Sequence, residues 1–329
     1  MSKKAVILLT LCILSASFLA LPVIGSTTTN TEIRPSQASI VPETFALKQV
    51  ENQELVTVGG RVYGITFDNR GSMYVAKNGN ELVKITPDGK GVTFCQLDAA
   101  NSSPSTYIWS LRLGKDGNIY AAAMDRLLKI TPEGKAETMF QDPSLKLMSV
   151  DFDRQGNLYA ASGTQIFKYT PALEKSLFID CGGTSGYLGL ADLKFDPGFN
   201  NLYVSNYNNQ QLYKYPLKSD GTAGEKKVIL DTKWLAAKVG SARPNWYTIA
   251  GKAHPSWFSF DGQGNLYVSL EDIYSVLKIG TDNSYTIYEI EKSFFVSTIA
   301  FGKNGFEQKS IYTPGYKDGS VHKLNFDGM

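Results

Sequence analysis

The chain is poor in the residues that most often carry chemistry: 329 residues contain three cysteines and two histidines. No Cys/His group has metal-ligand spacing, which argues against zinc-ribbon and iron–sulfur classes. The serine elbow G-x-S-x-G is absent. The glycine-rich stretches GYLGLAD and CGGTSG lack the strand-to-helix setting that cradles phosphate, so nucleotide chemistry is not indicated. Charge of one sign is lacking too, with 33 Lys and Arg against 31 Asp and Glu and a net +2. No basic run stands out beyond the first few residues, and nucleic acid is not an expected partner.

Long apolar runs are equally scarce, with one exception at the N-terminus. MSKK is followed by an apolar stretch from Ala5 to about Leu21 and by small residues around Val23, Gly25 and Ser26. This order predicts a secretory signal peptide over 1–26. The other reading is an uncleaved anchor, since the run approaches the ~17 residues that can span a bilayer. Residues 27–43 are polar and rich in Thr, Ser and Pro, a disordered linker by composition. The expected location is secreted or periplasmic, in either case extracytoplasmic, with no transmembrane segment after cleavage and a monomeric body over 44–329. Cys12 lies inside the apolar run. Cys95 and Cys181 fall in the first and third repeats, expected to lie beyond the ~4.4–6.8 Å Cα separation of a disulfide, and so to be free. Asn101-Ser102-Ser103 is a glycosylation sequon.

What the chain does have is repetition. GITFDNRGSMYVA, SLRLGKDGNIYAA, SVDFDRQGNLYAA, DLKFDPGFNNLYVS, WFSFDGQGNLYVS and TIAFGKNGFEQKSIYT share one pattern of strand, polar turn and strand. Phe67, Leu113, Phe152, Phe195, Phe260 and Phe301 occupy the same position, at intervals of 46, 39, 43, 65 and 41 residues. A period in the forties with several strands per unit predicts an all-β, six-bladed β-propeller. Third strands such as ELVKITPDG and RLLKITPEG follow, and most units add a fourth. The last unit stops after its third strand, while FALKQVENQELVTV (45–58) alternates like a strand; it is expected to complete the last blade and hide its edge. Tyr74, Tyr120, Tyr159, Tyr203, Tyr267 and Tyr312 recur at one place in the second strand, as do Lys84, Lys129, Lys168, Lys214, Lys278 and Lys323 in the third. Six-fold recurrence marks framework: core tyrosines, and lysines with buried stems and solvated ends.

The short phrases G-N-L-Y-V-S and P-D-G, and above all STIAFGKNGFEQKSIYTPGYKDGSVHKLNFDG, resemble the regucalcin/gluconolactonase family of six-bladed propellers, with NHL-type repeat character. The resemblance implies a divalent cation in the channel, held by Glu, Asn and Asp from blades one, four and five. In this sequence those positions fall at Tyr63, Ala191 and Ser256, and a substrate-contacting Asn falls at Trp109. Such residues lack the carboxylate oxygens a hard cation needs. No metal or other cofactor is therefore expected, Asp192 next to Ala191 being the one carboxylate close by.

Innermost strands surround a channel and converge on one mouth, where ligands gather. The residue four before each register position gives Tyr63, Trp109, Met148, Ala191, Ser256 and Ser297, an apolar and roomy set. The 65-residue interval adds a long connection from Asp231 to Trp257 carrying Trp234, Arg243, Trp246, Tyr247 and His254, a candidate lid. His254 has an unperturbed pKa suited to a base; His322, on the last third strand, reads as a surface residue. The expectation is a propeller that binds a small, partly apolar organic molecule in an aromatic-lined channel as a metal-independent cyclase, lyase or hydrolase. His254, Asp192 and Tyr63 would move protons, while Trp109, Met148, Ser256, Ser297, Arg243, Trp246 and Tyr247 would bind substrate. A non-catalytic NHL-type binding propeller and a metal lactonase remain as alternatives.

Overall fold

The structure is a computed structural model describing residues 45–97, 107–183, 188–233, 235, 252–290 and 296–326. The signal segment 1–26, the linker 27–43, Asn101, Arg243, Trp246 and Tyr247 lie outside the described residues.

Two strands precede the repeats, β1 (Ala46–Gln49) and β2 (Glu51–Thr57). Blade one comprises β3 (Val62–Phe67), β4 (Met73–Lys77), β5 (Glu81–Ile85) and β6 (Gly91–Gln96). Blade two comprises β7 (Ser110–Leu113), β8 (Ile119–Ala123), β9 (Arg126–Ile130) and β10 (Ala136–Gln141). In blade three are β11 (Leu147–Phe152), β12 (Leu158–Ser162), β13 (Gln165–Tyr169) and β14 (Lys175–Asp180). Blade four holds β15 (Leu190–Phe195), β16 (Asn201–Asn206), β17 (Gln211–Pro216) and β18 (Lys227–Asp231). Blade five holds β19 (Pro255–Phe260), β20 (Leu266–Leu270), β21 (Ser275–Ile279) and β22 (Tyr285–Glu289). Blade six supplies β23 (Ala300–Phe301), β24 (Ser310–Pro314) and β25 (Ser320–Asn325). Within each blade consecutive strands pair antiparallel, giving the all-β six-bladed propeller. Among the described residues no helix is long and apolar enough to cross a membrane.

Closure is more elaborate than a single added strand. β2 pairs antiparallel with β25 and completes blade six, while β1 turns off at Val50 and pairs parallel with β22 as a fifth strand of blade five. The N-terminal run thus serves two blades. The alternation of FALKQVENQELVTV cannot reveal that division, because both halves are edge strands with one solvated face.

The recurrent Tyr and Lys are cross-strand partners in all six blades, from Tyr74 opposite Lys84 to Tyr312 opposite Lys323. In four blades the ammonium stands 5.5–5.8 Å over the tyrosine ring. Each such pair adds a modest cation–π attraction while the lysine stem covers the ring. The Asp after the register position folds the following turn: Asp68 Oδ1 accepts the N–H groups of Arg70 and Ser72, and Asp153, Asp196 and Asp261 repeat the arrangement. This local side-chain-to-backbone capping explains why the phrase survives in blade after blade.

Two further sequence readings meet the structure. Cys95 and Cys181 are free and buried, and burial pushes each thiol up to about 11. His322 is not at the surface: it is 7% exposed, with Nδ1 2.8 Å from Asn52 Oδ1 on β2 and Nε2 2.6 Å from Ser320 Oγ. The closing strand covers it, which a reading of β25 alone could not anticipate.

Candidate functional site

The inner strands bring Tyr63, Trp109 and Met148 into one buried apolar cluster with Leu188 and Trp257, and Tyr107, Met124, Tyr207 and Tyr316 pack against it. Tyr63 is the hub, with ring centroids 4.9 Å from Tyr107, 5.0 Å from Trp109 and 4.9 Å from Tyr316. Trp109 lies nearly parallel to Trp257, at 6.2 Å and 15°, and its Nε1–H meets Met124 Sδ at 3.0 Å. Aromatic pairs of this kind are worth about 0.5–1.5 kcal/mol each beyond area burial.

A cavity of about 280 Å³ opens on this cluster, lined by the rings of Tyr63, Trp109, Tyr207, Trp257 and Tyr316, with Leu188, Ser297, Glu271 and Lys317. Its polar equipment comes largely from loops joining second to third strands. Tyr207 follows β16, Glu271 opens a 3-10 turn after β20 (Glu271–Ile273), and Tyr316 and Lys317 follow β24. Gly189, beside Leu188, permits the tight entry of β15: its φ is +55°, and a Cβ there would lie 2.2 Å from the Gly163 carbonyl oxygen. Any side chain would push blade four away from blade three.

Glu271 is the carboxyl of this cavity. Burial, and then Asp272 next to it, pushes its pKa up to about 8, opposed by the Ser256 hydroxyl. Asp272 itself is committed to His254, with Oδ2 2.5 Å from Nδ1 and 2.9 Å from the backbone N–H. The imidazole stacks on Tyr207 at 4.1 Å and 8°. His254 therefore stands behind Tyr207 and does not line the cavity. The Tyr63 phenol is raised far above its ordinary value, chiefly by burial, and stays a neutral hydroxyl instead of a base.

Below the mouth lies an ionic cluster centred on the fully buried Asp192. Its Oδ1 accepts from Ser149 Oγ at 2.5 Å, Arg112 Nη2 at 3.3 Å and the Leu193 N–H at 3.0 Å. Its Oδ2 accepts from Lys194 Nζ at 2.5 Å and the Phe258 N–H at 3.1 Å. Four blades meet on one carboxylate. Burial lowers Lys194 to about 8 against the pull of Asp192, and burial raises Asp151, which pairs with Arg112 at 3.7 Å. Asp192 thus knits blades two to five together and offers no open oxygen to a substrate.

Of the residues singled out from sequence, Tyr63, Trp109 and Ser297 line the cavity, and Met148 packs behind it. Ser256 is fully buried, its carbonyl accepting from Ser205 Oγ at 2.5 Å. A register shift between Pro255 and Phe258 puts Trp257 on the wall instead. Glu271, Tyr207, Tyr316 and Lys317 were missed because hairpin loops do not repeat between blades. The signal was present in the phrase SLEDIY, where two adjacent acids directly follow the second strand, as in no other blade.

The positions implied for a divalent cation, Tyr63, Ala191 and Ser256, offer a phenol, a methyl and a buried hydroxyl, and Asp192 already carries two cations. Among the described residues no group of three or more His, Cys, Asp or Glu could hold a metal ion. These residues do not fit a metal.

No protein-family model matches the chain, and a comparison with curated proteins finds no match. Solved structures do match. A calcium-binding protein, regucalcin, from Agrobacterium tumefaciens superposes with TM-score 0.65 at 14% identity, over 85% of this chain and 95% of that one. What the two share is the six-bladed propeller fold. A gluconolactonase from Xanthomonas campestris gives 0.63 at 11% identity, covering 84% and 89% of the two chains. A catalytically inactive histidine-to-alanine variant of virginiamycin B lyase from Staphylococcus aureus, with quinupristin, gives 0.60 at 14%, covering 84% and 100%.

Proposed function

We propose that this protein is an exported propeller enzyme that binds a small, partly apolar organic molecule at the aromatic mouth and acts on it without a metal. The observation carrying this reading is a cavity lined by five aromatic residues and one carboxyl, Glu271, whose pKa burial pushes up to about 8. Such a group can give or take a proton at physiological pH, the condition general acid–base catalysis needs. The rings orient the ligand, Glu271 moves the proton, and the Asp272–His254 pair behind Tyr207 fixes the loop that carries Glu271.

The similar structures supply two reaction classes to test, lactone opening by the gluconolactonase and elimination by the lyase. Chelator-treated protein should be assayed on gluconolactone and on quinupristin, with Glu271→Gln and His254→Ala alongside. Turnover that survives chelation and falls ~10²-fold or more in Glu271→Gln supports the proposal. A non-catalytic binding role gains from one fact, that among the described lining residues Glu271 is the one carboxyl and no histidine joins it, and binding without turnover would favour it. Activity restored only by a divalent cation would refute metal independence.

A further inference from the structure

Ring faces carry the negative end of the aromatic quadrupole and attract cations, tryptophan most strongly. Tyr63, Trp109, Tyr207, Trp257 and Tyr316 line one cavity, and Glu271 adds a carboxyl to the same space. That carboxyl makes no ion pair among the described residues. Its neighbour Asp272 is held by His254, and the Ser256 hydroxyl acts on Glu271 in the opposite sense to burial. The charged groups around it are few: Asp272 alongside, His254 behind Tyr207, and Lys317 on the cavity lining. Arg61 is turned to the Tyr107 hydroxyl at 2.9 Å, outside the lining. A purely apolar ligand would use the rings and leave the acid without purpose. An anion would meet both electron-rich faces and a carboxyl.

We infer that the mouth is an aromatic cage for an organic cation, a small molecule carrying an alkylammonium group, with Glu271 as its counter-ion. This rests on the reading of the mouth as a small-molecule site and names the class of molecule. The cation and the carboxylate must be charged together, whereas burial keeps Glu271 protonated up to about 8. A positive charge in contact favours the ionised form, so binding expels a proton and affinity climbs as the pH rises through that value.

The test uses choline and 3,3-dimethylbutan-1-ol, its uncharged carbon counterpart, titrated by calorimetry and by the fluorescence of the mouth tryptophans. Choline is expected to bind at least about tenfold more tightly near pH 9, with the preference shrinking toward pH 7. Glu271→Gln should bring the ratio close to one. Should that variant fail to fold, the wild-type ratio and its pH dependence still decide. Equal or tighter binding of the alcohol would overturn the cation cage while leaving an apolar small-molecule mouth in place. Failure of both ligands at tens of millimolar would remove the mouth as a binding site altogether.

Discussion

At the scale of single residues, Glu271 and Asp192 show how position decides what a carboxyl can do. Glu271 stands beside rings and a second acid and makes no ion pair among the described residues; burial, and then Asp272, pushes its pKa up to about 8. If catalysis runs through it, the pH–rate profile has a limb near 8 that disappears in Glu271→Gln, measured at saturating substrate. Asp192 lies at the opposite extreme, encircled by Ser149, Arg112 and Lys194. Asp192→Asn leaves those cations against Asp151 alone in a buried setting, and breaking a buried pair typically costs about 3–5 kcal/mol. Urea unfolding should show that loss as a lower midpoint with an unchanged slope. A variant as stable as the wild type would mean that the cluster is more hydrated than its burial implies.

At the scale of elements, the repeat made the blades legible and concealed the site. Tyr–Lys pairs recur in all six blades and the Asp-capped turn in four, because each blade solves the same packing problem. The functional side chains do not recur. Trp257 reaches the wall only because β19 is bulged, and Tyr207, Glu271 and Tyr316 sit on loops whose lengths differ, where no period points to them. Tyr63 and Trp109 were readable because they occupy inner-strand positions that the repeat itself defines. The His322–Asn52 contact joins β25 to β2 and has its own test. Burial lowers the His322 pKa, partly offset by Asp318 and Glu54, so the folded state binds a proton less readily than the unfolded chain. Its stabilising effect is present above the unfolded value of about 6.5 and is lost as the pH falls below it. The melting temperature should drop through that range, and less so in His322→Gln.

At the scale of the whole molecule, closure depends on fourteen or so residues at one end of the folded body. Removing β1 alone takes away four exposed residues and one parallel pairing, and a small shift in melting temperature is expected. Removing β2 as well leaves β25 with an unpaired edge and uncovers His322, and aggregation on heating should follow. Light scattering of the two truncations separates these outcomes; equal behaviour would mean that blade six holds together with three strands.

The same closure sets an order in time. β2 is made before β3–β24 and its partner β25 only after them, so the strand must wait through the synthesis of five blades before it can pair. Pairings between distant parts of a chain form slowly, and an unpaired strand is exposed to the wrong partners in the interval. Blades one to five can form from contiguous sequence, whereas blade six is a late, bimolecular-like encounter within one chain. Whatever keeps residues 46–57 apart from other chains during that delay governs the yield of folded protein.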